Sequence, residues 1–131
     1  LFPNGSYENS GVLGVAVDAS TAAIFLDDVR DAEPWHGRPS AKAIETAVTV
    51  HEVGHLLGLV NLVYTSPVAH EDSEHPGHSN NEDSVMYWAI ESGDLSSFVS
   101  NEVPNDFDSD DRADLAAIAA GDLEVNEQLW S

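Results

Sequence analysis

The chain is predicted to fold as one small α/β (α+β) domain, a short sheet packed on a buried helix, and three stretches predict it. Apolar, β-branched residues bounded by turn formers at 11–29 mark two neighbouring strands. The run from Ser40 to Gly58 has helical periodicity and is apolar on most of its surface. Near the end, DDRADLAAIAAG carries the cap residues of a last helix. A length of 131 residues supports one core and is short for two, so residues 1–131 are expected to form a single domain.

In order along the chain, residues 1–39 hold the strands and a connection. GVLGVAVDAS (11–20) is the first strand and TAAIFLDDV (21–29) the second, close enough to pair with it. Pro34, Gly37 and Pro39 then make a connection. Ser40 caps the helix of residues 40–58, in which Ile44, Val48, His51 and His55 recur at spacings of three and four, and Gly58 ends it. Residues 59–83 form an irregular loop whose length in a compact domain asks for a functional reason. SVMYWAI (84–90) is a short apolar tract, and residues 108–121 are the last helix, capped by Asp108 or Ser109. The start LFPNGSYEN resembles the tail of a strand, so the chain is expected to be the carboxy-terminal part of a longer protein.

Charge is the outlying property. Twenty-four acidic residues against four basic ones give a formal net charge of −20. Such a polyanion repels nucleic acid and anionic membrane surfaces. It suits solubility at molar salt, where screening quenches self-repulsion, and so points to a halophilic source. The absence of cysteine removes disulfides, thiolate nucleophiles and cysteine metal sites. No apolar run is long enough to cross a membrane.

The chemistry lies in HEVGHLLGLVN (51–61). His51 and His55, four apart on a helix, share a face one turn apart and can hold one metal ion. Glu52 is rotated off that line, where it can take a proton from a water whose pKa the metal has lowered. A third protein ligand must come from elsewhere, and the residues leave His70, His75, His78 and Asn61 open for it. An amide oxygen such as that of Asn61 is a poor zinc ligand beside imidazole.

HEVGHLLG resembles the metzincin clan of zinc metallopeptidases, whose pattern continues to a third histidine and a methionine-containing turn beneath the metal. The spacing after the loop is similar to that of the archaemetzincins: His78, Ser79, four residues, Ser84, Val85, Met86, with serine at both places where that family has cysteine. The resemblance covers about residues 40–90. It implies a compact metzincin-like zincin fold and an archaeal source. It also implies His78 as third zinc ligand, with His70 and Asn61 as alternates, and Met86 as the turn methionine. With serines at 79 and 84, any second metal or crosslink held by the cysteine pair is expected to be absent.

The function expected is a zinc-dependent endopeptidase that hydrolyses peptide bonds through a zinc-bound water activated by Glu52. His51, His55 and His78 would leave the fourth position open. The partner would be a peptide or protein, lying along an edge strand, for which AAIFLDD (22–28) is the candidate. Two alternatives stand beside it: a non-catalytic zinc-stabilised module, and a zinc hydrolase with a non-peptide substrate. Family resemblance places the protein outside the cell or at the membrane surface. Glu71, Asp72 and Glu74 offer carboxylates for a second ion but read better as a solvated loop. Asp106, Asp108 and Asp110 read as a helix cap rather than a calcium loop, because the glycine and glutamate of such a loop are missing. Tyr64 and Tyr87 are weak candidates for an oxyanion contact, and His36 reads as a surface residue.

Overall fold

In a computed structural model, residues 1–8, 11–18, 20–35, 37–60, 66–98 and 102–122 are described. They form a small α+β fold with a two-stranded antiparallel sheet and four helices. Strand β1 (Gly14–Asp18) pairs with β2 (Thr21–Ile24), Gly14 opposite Ile24 and Ala16 opposite Ala22. Asp18 makes the corner by accepting the Ser20 N–H at 2.7 Å and the Ser20 hydroxyl at 2.9 Å.

The second strand is shorter than the sequence suggested. The chain leaves the sheet at Phe25 and coils into helix α1 (Leu26–Asp31). Asp27 and Asp28 stand in its first turn and Arg30 in its last, each matching the sign of the helix dipole there. Buried Val29 anchors it. The outer edge of β2 is also taken, since Ile24 N–H donates to the Leu1 carbonyl at 2.8 Å and Leu26 N–H to that of Pro3 at 3.3 Å. Residues 22–28 are therefore not a free edge strand for a peptide. Among the described residues β1 has no second strand partner.

Helix α2 (Ala41–Leu56) runs under the sheet. Ser40 caps it by accepting the Ala43 N–H at 3.2 Å. It ends in a Schellman arrangement, with Leu59 N–H donating to Gly54 O at 3.0 Å and Gly58 N–H to His55 O at 2.9 Å. Gly58 takes the left-handed φ of 89° this requires. Ile44, Ala47 and Val48 bury one face of α2 against Leu13, Ile24, Val29, Ala89 and Ile90. Each large side chain fully buried there stabilises the fold by about 1.5–3 kcal/mol.

Two short elements, α3 (Ala89–Ser92) and a 3₁₀ turn at Leu95–Phe98, close that core. Helix α4 (Ser109–Ala120) begins with a capping box between Asp108 and Asp111 and ends at Gly121. A smaller cluster of Leu59, Val60, Val85 and Met86, backed by Phe107 and Leu115, fills the space between α2 and α4. No helix among the described residues is long and apolar enough to cross a membrane.

Candidate metal centre

His51 and His55 project from α2 one turn apart, their rings edge to face with centroids 4.6 Å apart. His51 is fully buried, and its Nδ1–H donates to the Val85 carbonyl at 2.6 Å. That bond fixes the ring and leaves the Nε2 lone pair for a metal. His51 Nε2 lies 3.0 Å from His55 Nε2. Burial, aided by the neighbouring histidines and opposed by Glu91, pushes His55 down to about 4, so it is a neutral donor at physiological pH.

The loop brings His78 back onto this pair. Its ring stacks on His51 with centroids 5.3 Å apart and meets His55 edge to face at 5.2 Å. Loop and turn are tied together here: Ser79 N–H donates to Met86 O at 2.9 Å, and Asn80 N–H to His70 O at 2.7 Å. Met86 is fully buried beneath α2. A Cβ on Gly54 would fall 2.3 Å from Met86 Sδ, so only glycine lets the thioether sit under the helix between the two histidines.

A fourth group joins them that the sequence did not single out. Glu91, on α3, places Oε2 at 3.4 Å from His51 Nε2, 3.7 Å from His55 Nε2 and 3.3 Å from His78 Nε2. The four ligand atoms all lie within 4.8 Å of one another, a group that could hold a metal ion. A regular tetrahedron with edges of about 3.3 Å has its centre about 2.0 Å from each corner, which is a zinc–nitrogen or zinc–oxygen bond length. The Glu91 carboxylate stands on the side where an open position is expected. Burial would raise the Glu91 carboxyl, but the three imidazoles facing it outweigh that and hold it well below the usual carboxylate range. Its side chain keeps 32% exposure against 0% for His51, so it closes the centre from the solvent side.

Metal-binding chemistry also explains an imbalance in the site. Both ring nitrogens of His78 are buried without a hydrogen-bond partner, and Nε2, 3.3 Å from Glu91 Oε2, is the one at the centre. An electron-pair acceptor at the centre would use that lone pair.

Glu52 is fully buried on the β1 side of α2, and neither carboxylate oxygen has a hydrogen-bond partner. Burial, reinforced by the charge of Glu91, pushes it up to about 9. Gly14 makes room for it, since a Cβ there would meet Glu52 Oε1 and Val48 Cγ1 at 2.7 Å.

The other candidates lie apart. His70 is buried against α4, with Nε2 3.0 Å from Asp114 Oδ2, and is not part of the His51 group. His75 pairs with Asp72 at 2.9 Å and stacks on Trp88 at 4.1 Å. Asp72 also accepts the Glu74 N–H, and Glu71 accepts the Gly77 N–H, so both carboxylates shape the loop. Tyr87 packs on Phe98 and Trp88. Asn61, Tyr64 and His36 lie outside the described residues. Comparison of the chain with known protein families, with curated proteins and with solved structures finds no match.

Proposed function

We propose that the protein is a zinc-dependent metalloendopeptidase of metzincin type. The observation that carries this reading is the convergence of three imidazole nitrogens from two distant segments beside a buried, unpartnered glutamate. Neutral imidazoles and a carboxylate suit zinc in both donor type and spacing. When bound, zinc supplies a Lewis acid for the scissile carbonyl and acidifies a water. Glu52, the residue after the first ligand, takes the proton of the attacking water and hands it to the leaving amine. Burial holds Glu52 protonated in the metal-free protein, and the charge of a bound cation beside it would favour the carboxylate that the first of these transfers needs. An extended peptide would pair with β1, the strand that lies against Glu52, rather than with β2. Glu91, on the solvent side, would have to swing away from the three imidazoles to admit a substrate carbonyl.

One observation favours a second reading. A centre with all four corners held by protein is the form that structural zinc takes, which would make this a metal-stabilised module without activity. Casein or gelatin cleavage in high salt separates the two, measured on wild type, Glu52→Gln and Glu91→Gln with zinc content determined for each. The peptidase reading expects cleavage that Glu52→Gln abolishes while zinc is retained, and that Glu91→Gln preserves or raises. Bound zinc with no Glu52-dependent cleavage of any peptide pool refutes it.

A further inference from the structure

We propose that His70, Asp108 and Asp111 form a second site, separate from the first, for a divalent transition-metal cation such as zinc. Their ligand atoms lie within 4.8 Å of one another. Part of this group is explained by the start of α4. Asp108 Oδ1 caps the N–H groups of Asp110 and Asp111 at 2.8 Å, and Asp108 Oδ2 accepts from Asn81 at 2.8 Å. Asp111 Oδ2 accepts the Ser84 hydroxyl at 2.6 Å and the Asp108 N–H at 3.0 Å.

Capping leaves two atoms unaccounted for. His70 is 1% exposed and Asp111 0%, yet His70 Nδ1 and Asp111 Oδ1 are buried with no hydrogen-bond partner. They face each other at 3.6 Å, too far apart for a hydrogen bond. On the other side of the ring, His70 Nε2–H donates to Asp114 Oδ2 at 3.0 Å, and that oxygen also accepts the Ser66 hydroxyl. A carboxylate that takes the Nε2 proton leaves the Nδ1 lone pair pointing at Asp111, which is how metal-ligating histidines are oriented. Two lone pairs that face each other across this gap call for a cation between them.

Charge leads to the same place. Asp111 is fully buried and Asp108 half-buried, and one imidazole does not balance these two carboxylates. Arg112, the only cation on α4, is turned away, with Nη2 donating to both carboxylate oxygens of Asp106 at 2.8–2.9 Å. A nitrogen donor among carboxylates selects zinc, manganese, iron or cobalt over calcium, which takes oxygen ligands. The ion would tie α4 through Asp111 and Ser84 to the Met86 turn, whose Val85 carbonyl orients His51. The site stands independently of the peptidase reading.

Zinc titration of the whole chain, counted by native mass spectrometry, tests it. Wild type is expected to bind two zinc ions, His70→Gln one and the double variant His51→Ala/His55→Ala one, with excess calcium displacing neither. Glutamine keeps a donor toward Asp114 and lacks the Nδ1 lone pair, and circular dichroism checks that the variant folds. On wild type itself, the His70 ring resonances should move as zinc is added. Two ions retained by His70→Gln overturn the proposal, as does a His70 ring that titrates as an imidazolium and is indifferent to zinc. Loss of zinc from His70→Gln alone, with none lost from the double variant, upholds this site and removes the first.

Discussion

Gly54→Ala tests the packing on which the candidate metal centre rests. The added methyl would stand 2.3 Å from Met86 Sδ, 3.0 Å from Phe107 Cε1 and 3.2 Å from Met86 Cε. Carbon and sulfur settle at roughly 3.5–4.0 Å, so the first overlap exceeds 1 Å by about a few tenths. Met86 is fully buried among Leu59, Val60 and Val85, so its thioether can shift only by displacing these neighbours. Overpacking of this kind costs about 1–3 kcal/mol. Alanine recovers about 1 kcal/mol of helix propensity, so a net loss of up to about 2 kcal/mol is expected. The displacement also reaches the ligands, because Val85, adjacent to Met86, supplies the carbonyl that orients His51. Urea unfolding of metal-free protein should show a lower midpoint at unchanged slope, and competition with a chelator should show weaker zinc binding. Met86→Ala should relieve the cost of Gly54→Ala in a double-mutant cycle. A Gly54→Ala variant that gains the full ~1 kcal/mol of helix propensity, with the same zinc affinity as wild type, refutes the placement of Met86 beneath α2.

Other perturbations have equally direct readouts. Gly14→Ala pushes a methyl into Glu52 and Val48, and kcat in the peptidase assay should fall at least tenfold with zinc content unchanged, by about 1.4 kcal/mol or more of barrier. Ser84→Ala removes the acceptor for the Met86 N–H and the donor to buried Asp111, at a cost of about 2–4 kcal/mol in thermal or urea unfolding. In metal-free protein Glu52 is raised from 4.5 to about 9, so between these values the folded state binds more protons than the unfolded. Its contribution is fully present below pH 4.5 and is lost as pH rises through 9, and Glu52→Gln should flatten that part of the stability profile. With a net charge of −20, the melting temperature should climb as potassium chloride rises from about 0.1 M to 1 M, where the Debye length drops from about 10 Å to 3 Å. An unchanged melting temperature would argue against self-repulsion as the reason for the acidic surface.

Local pattern determined a good part of this protein. The cap at Ser40, the periodic apolar face of α2, the left-handed Gly58 and the acidic cap of α4 are each set by residues within a turn of one another, so they can be read without a fold. The pairing of His51 with His55 belongs to the same class, because the helix alone puts them on one face. β2 shows the limit: apolar residues continue past Ile24, but whether they extend the sheet depends on Leu1 and Pro3 holding its edge and on Val29 finding the core.

What only the tertiary structure decided is which distant groups meet. His78 and His70 lie in the same histidine-bearing loop, yet one faces α2 and the other α4, because the links of Ser79 to Met86 and of Asn80 to His70 turn the chain between them. Glu91 is one of twenty-four acidic residues and carries no mark that separates it from a solvated charge. Leu13 N–H binds its carbonyl at 2.7 Å, and Ala89 and Ile90 anchor its short helix in the core, so packing alone aims its carboxylate at three imidazoles. Helical spacing propagates for a turn or two. Beyond that, the contacts of a metal centre are set by how buried surfaces fit, which no run of neighbouring residues contains.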